Sequence, residues 1–189
     1  MADVRSGRFS LSVKGQIGGL EVRRAEGVMT RDGAASGTVD LEQGGSLVEL
    51  EVVYVGGTIY VKGPTGPFQR IPDSLAGTVY DPTDLLDPSS GLVRLLRTAR
   101  EARTESQGDV GGVAAYRVSA TLDGSVLGPL VPNPVPSDVP ATLWIGVDEP
   151  LLLRVSTELP ANGSAAATQL TLSISEFNLE VHVTPPATA

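Results

Sequence analysis

Cysteine is absent from this chain of 189 residues, lysine occurs twice and histidine once. Each scarcity removes a class of function. Without cysteine there are no disulfides, no thiolate metal sites and no cysteine nucleophile, and the redox compartment stays open. Lysine stands only at Lys14 and Lys62, and the net charge is −8. A phosphate backbone demands clustered cations, so no nucleic acid is expected as a partner. No stretch approaches the ~18 consecutive apolar residues of a membrane span. Met1-Ala2-Asp3 opens the chain without the apolar core of a leader. Aromatics make up 4% of the residues, so aliphatic side chains must do most of the filling. That suits a hollow interior as well as a packed one.

Catalytic equipment is equally sparse. His182 lies in Leu179-Glu180-Val181-His182-Val183, where alternation puts it opposite the two valines on the more polar face of a strand. A catalytic histidine needs a nucleophile and an orienting acid in reach, and a surface strand histidine is the simpler reading. Asp123-Gly124-Ser125 lacks the second glycine of a nucleophile elbow. Asp81, Asp84 and Asp87 are spaced to gather around a hard cation, but helix capping accounts for two of them. Asn162-Gly163-Ser164 fits a glycosylation sequon, yet Asn-Gly is foremost a hairpin turn. Glycine pairs occur without a phosphate-loop lysine. No enzyme activity, catalytic residue, cofactor or metal is expected.

What the chain does have is alternation. Val48, Leu50, Val52 and Tyr54 share one face of a predicted strand, with Glu49 and Glu51 on the other. Leu151, Leu153 and Val155 oppose Leu152, Arg154 and Ser156; Leu170, Leu172 and Ile174 oppose Thr171, Ser173 and Ser175. Further strands are read at Phe9–Val13, Leu20–Met29, Ala35–Leu41, Thr58–Lys62, Tyr116–Leu122, Leu143–Val147 and Leu179–Thr184, with a short segment at Phe68–Ile71. Gly18-Gly19, Gly44-Gly45, Gly56-Gly57 and Gly111-Gly112 supply the turns. One stretch breaks into helical spacing. Asp81-Pro82-Thr83-Asp84 and Asp87-Pro88 read as successive helix starts, the second launching a helix over Ser89–Arg103. Gly124–Leu130 reads as one helical turn or two, and prolines at 129, 132, 134, 136 and 140 make an extended loop. Strands on both sides of a helical insertion give α+β, a single domain over 1–189 with a folded core of 5–185 and flexible termini.

This organisation poses a covering problem. About ten strands at ~4.8 Å would make a flat sheet nearly 50 Å wide. A helix of about 13 residues covers a strip of roughly 20 Å by 10 Å. The sheet must therefore curl onto its own side chains or wrap something that is not protein. The predicted helix also carries Arg94, Arg97, Arg100 and Arg103 at three-residue spacing, four of twelve arginines. They read as a solvated face, with later cations favouring the helix C-terminus. As a function, the row would suit anionic head groups at a cavity rim or membrane surface.

Four segments together give a resemblance: Ala35-Ser36-Gly37-Thr38-Val39, Gly57-Thr58-Ile59-Tyr60, Tyr80-Asp81-Pro82 with Leu85-Leu86-Asp87-Pro88-Ser89-Ser90-Gly91-Leu92, and Val139-Pro140-Ala141-Thr142-Leu143-Trp144-Ile145. In order and spacing, over residues 5–185, the chain resembles the LppX/LprA/LprF/LprG family of actinobacterial cell-envelope lipoproteins. The resemblance implies a strongly curved antiparallel half-barrel, with helices over its concave face enclosing a large apolar cavity for acyl chains. It also implies tethering to the outer face of the plasma membrane through a lipidated cysteine, which this sequence does not contain. Diacyl or triacyl lipids and glycolipids, the membrane surface and a membrane lipid exporter are the implied partners. The proline stretch 129–140 departs from relatives that tend to be helical there.

The first expectation is thus a non-enzymatic lipid carrier or presenter. Its sheet wall would comprise Val48, Leu50, Val52, Tyr54, Tyr116, Val118, Leu151, Leu153, Leu170 and Leu172. Its helical lid would comprise Leu86, Leu92, Leu95, Leu96, Leu127 and Leu130. The alternative is an envelope interaction or sensor domain partnering a membrane protein, with a small or vestigial cavity. An esterase would require Ser125 or another serine beside His182 and an acid.

Overall fold

The computed structural model describes residues 1, 3–15, 22–72, 85–87, 91–127, 135, 137–159 and 167–188. Five hairpin-linked strands and a short sixth come first: β1 (Ser6–Lys14), β2 (Val22–Thr30), β3 (Ala34–Gln43), β4 (Ser46–Val55), β5 (Thr58–Lys62) and β6 (Gln69–Arg70). A second run follows the helical region: β7 (Arg100–Val110), β8 (Val113–Leu122), β9 (Val139–Gly146), β10 (Leu152–Leu159) and β11 (Thr168–Ser175). Together they form one curved, open sheet ordered β6-β5-β4-β3-β2-β1-β11-β10-β9-β8-β7. All of its ladders are antiparallel. The first and last strands meet in the middle, so the sheet is two meanders sewn together along β1 and β11. β6 and β7 are the two edges of the sheet.

Antiparallel register fixes which side chains share a face. Val118, Leu143, Val155, Leu172, Leu11, Ala25, Val39 and Leu50 stand opposite one another from β8 through to β4. The five from Leu143 to Ala25 are buried, and the remaining three are half-buried. Leu85, Leu86, Leu92, Leu95 and Leu127 belong to the same buried core as this inner face. The opposite, outer face carries Ser106, Arg117, Trp144, Arg154, Ser173, Ser10 and Glu26 in register.

β2 and β3 draw together in a tight crease at Gly27 and Gly37, which face each other across the ladder. A Cβ on Gly27 would fall on the Ser36 carbonyl oxygen and lie 2.8 Å from the Gly37 Cα; one on Gly37 would meet the Glu26 carbonyl oxygen. Only two unsubstituted backbones can approach this closely. The tight turns at Gly44-Gly45, Gly56-Gly57 and Gly111-Gly112 all have positive φ, as the paired glycines foretold.

Three expectations are corrected. The helix is Leu92–Thr98, not Ser89–Arg103 as far as it is described. Thr98 Oγ1 donates to the Arg94 carbonyl at 2.8 Å, and Ala99 leaves helical space at φ −59°, ψ 128°. From Arg100 onward the backbone is satisfied by the ladder to β8, with a break in register around Glu101, whose φ is 55°. Arg100 and Arg103 are therefore strand residues. Second, 179–184 is not a strand. Glu176 and Asn178 adopt φ of 49° and 59° and turn the chain away after β11. Asn178 secures that turn: its N–H donates to the Ser6 carbonyl at 2.9 Å, and its side-chain oxygen accepts the Arg5 N–H at 2.8 Å. Third, a β-bulge between Leu152 and Arg154 breaks the alternation of β10. Leu152 and Val155 both enter the main core, and Leu153 joins a separate cluster on the outer face.

The capping aspartates 81 and 84, Leu130, most of the proline stretch and the Asn162-Gly163 turn lie outside the described residues. Gly124–Leu127 forms one 3-10 turn.

Candidate functional site: the inner apolar face

The inner face divides by burial. Leu170 and Leu172 on the sheet, and Leu86, Leu92, Leu95 and Leu127 above it, are 3% exposed or less. They pack on one another as a core. Leu96 and Val118 are half-buried against it, and Tyr116 and Leu151 are half-buried as well. Burial changes on the far side of the glycine crease. Val48, Leu50, Val52 and Tyr54 of β4 are all half-buried and point to the same face through their partners Leu41, Val39, Gly37 and Ala35. Val52 continues to Val61 on β5. At ~3.4 Å per residue, Val48 to Tyr54 makes an apolar strip about 20 Å long that adjoins the sealed core.

Of the residues expected in the wall, only Leu153 stands on the other face. Phe9, Leu11, Val13, Ala25 and Met29 belong to the inner face too and were not among those named. The alternation of Phe9, Leu11 and Val13 is as regular as that of β4 and could have found them. Met29 and Ala25 flank Gly27, where no side chain marks the period.

Chemically the strip offers dispersion and exclusion of water, with no titratable group among Val48, Leu50, Val52 and Val61. Among the described residues no group of three His, Cys, Asp or Glu is placed to hold a metal. His182 is exposed and faces Glu180 at 3.4 Å. No described helix is long and apolar enough to cross a membrane.

The arginine row does not act as one field. Arg94 and Arg97 project from the helix into solvent, Arg100 ion-pairs with Asp138, and Arg103 lies exposed on β7. The Asp123 carboxyl is held below the usual carboxylate range, chiefly by hydrogen bonds from Ser125, with Arg100 and Arg94 adding attraction.

A pair of clefts lies away from this strip. One, of about 520 Å³, lies beside Arg5, Thr30, Asp32 and Leu179. The other, of about 490 Å³, lies over Val110, Leu153 and Phe177.

Comparison with known proteins bears on this arrangement. Residues 1–183 match the family model described as LppX_LprAFG lipoprotein. The chain is 29% identical to the lipoarabinomannan carrier protein LprG of Mycolicibacterium smegmatis, covering 94% of this chain and 74% of that protein. It is 26% identical to lipoprotein LprA of Mycobacterium tuberculosis, covering 98% of this chain and 77% of that one. In structure it is similar to LprF from Mycobacterium bovis, with a TM-score of 0.83 at 20% identity over 99% of this chain and 91% of the other. Lipoprotein LppX of Mycobacterium tuberculosis gives 0.67 at 20% identity over 96% and 91%. Those two likenesses establish the curved-sheet fold.

Proposed function

The chain belongs to the LppX_LprAFG lipoprotein family, and from that premise we propose that it is a non-enzymatic carrier or presenter of acylated lipids or glycolipids in the cell envelope. One relative is named a lipoarabinomannan carrier. The observation that carries the reading here is the half-buried strip Val48–Tyr54, an apolar surface continuous with the core and incompletely covered. Acyl chains laid along it would complete the burial. Each CH₂ removed from water contributes ~0.8 kcal/mol, so a C16 chain gains on the order of 10 kcal/mol before the costs of ordering. Such binding requires no catalytic group. The protein would sit on the extracytoplasmic face of the plasma membrane, held by a lipidated cysteine beyond this sequence. Arg94 and Arg97 would meet anionic head groups, and a membrane exporter would be its source or acceptor of cargo.

Organic extraction of the purified protein with mass analysis, and native mass spectrometry after incubation with diacyl phospholipid, test the proposal. A stoichiometric lipid adduct that Val52→Asp diminishes, without loss of the folded state, is the expected result. Protein that retains no lipid in either experiment would refute it.

A further inference from the structure

We propose that the outer-face cleft between the β7–β8 turn and the β9–β10 turn is a docking site for a partner protein, engaged through a short segment that pairs apolar with basic side chains. The proposal does not rest on lipid binding, since the cleft lies on the other side of the sheet from the Val48–Tyr54 strip.

The cleft measures about 490 Å³, room for one or two side chains. Its apolar lining is Val110, Val113, Leu151, Leu153, Ile174 and Phe177, with Val113 at 50% exposure. Apolar residues on this face contrast with the Ser, Thr and charged residues that cover the rest of β10 and β11 here. Leu153 is there because the β-bulge at Leu152–Arg154 turns it outward while Leu152 and Val155 stay in the core. Bulges of this kind commonly re-aim a side chain beside a functional surface.

Charge decides the occupant. Asp148, Glu149 and Glu176 border the cleft, against a single cation, Arg154. Arg154 is already engaged: its guanidinium stacks 5.5 Å from the Trp144 ring and donates to Ser173 Oγ at 3.1 Å. Glu176 is held by Arg8. Asp148 and Glu149 make no ion pair among the described residues, and both are exposed on the turn. An apolar pocket rimmed by two uncommitted carboxylates complements a Lys- or Arg-bearing segment with a Leu or Phe anchor, and repels acidic ones.

Fluorescence polarisation with a labelled Lys-Leu-Lys-Phe-Lys-Leu peptide at low ionic strength tests this. Saturable binding is expected, weakened at least fivefold by the double reversal D148K/E149K and by Val113→Asp, and absent for the Glu-for-Lys peptide. Circular dichroism melts establish that both variants fold; the turn reversal decides the matter if Val113→Asp does not. Equal binding of the basic and acidic peptides, or no saturation with the basic one, overturns the proposal. So does sedimentation showing a wild-type dimer that Val113→Asp dissolves, because a second copy would then be the occupant.

Discussion

The two wings of the sheet carry the same alternating pattern and use it differently. On β9, β10, β11 and β1 the inner face is sealed: Leu143, Val155, Leu172 and Leu11 are at most 5% exposed. On β3 and β4 the equivalent positions Val39 and Leu50 remain half-buried, although they continue the same row. The change falls at the facing glycines of β2 and β3. A period of two thus reports which face is apolar, and only the packing above it reports whether that face is core or receptor surface.

The contrast can be broken most forcefully at the crease. Gly37→Val places atoms on the β2 backbone, and a destabilisation of about 3 kcal/mol is expected from urea unfolding. Next, Leu172→Ala should cost about 3 kcal/mol as a cavity-forming change in the sealed wing. Val52→Ala should cost less than about 1 kcal/mol, because its site is already partly open. In lipid retention the order of those two should reverse. If both measurements rank the variants alike, the wings do not differ in kind.

A smaller effect belongs to the outside of the seam. Arg8 Nε lies 2.9 Å from Glu176 Oε1, and its Nη2 lies 3.1 Å from the other carboxylate oxygen. The hydrogen bond from Arg8 holds the Glu176 carboxyl below the usual glutamate range. A depressed carboxyl stabilises the fold above its unfolded pKa, and that contribution disappears as pH falls through the folded value. Both side chains are about half exposed, so solvent screens the pair. Glu176→Gln should therefore remove a modest part of the midpoint shift seen in urea between neutral and acid pH. Least of all, Arg94→Glu with Arg97→Glu should leave stability within about 0.5 kcal/mol. A co-sedimentation assay should show weaker association with anionic vesicles and no change with neutral ones.

How much of this was legible follows from local rules and where they stop. The β4 strip was readable because Gly44-Gly45 and Gly56-Gly57 bracket the strand and Glu49 and Glu51 mark its polar face. Leu153 was misassigned because alternation presumes constant register, and a bulge leaves no distinct mark in Leu151-Leu152-Leu153. The helix was read too long because Arg97, Arg100 and Arg103 prolong a helical spacing that β8 then claims as ladder. Val181 and Val183 alternate like a strand, but after the left-handed turn at Glu176 and Asn178 they join no ladder. Gly27 and Gly37 are unremarkable until pairing sets them face to face, so the crease was visible only in three dimensions.

The central seam has a consequence in time. Arg8 through Lys14 pair with Gln169 through Ser175, nearly opposite ends of the chain. Closing so long a loop carries an entropic toll that near-neighbour hairpins escape, and contacts of such separation slow folding. Newly made polypeptide cannot knit its middle before its final strand emerges. Any apparatus that moves it during synthesis therefore handles an unfinished thread, and the seam closes last.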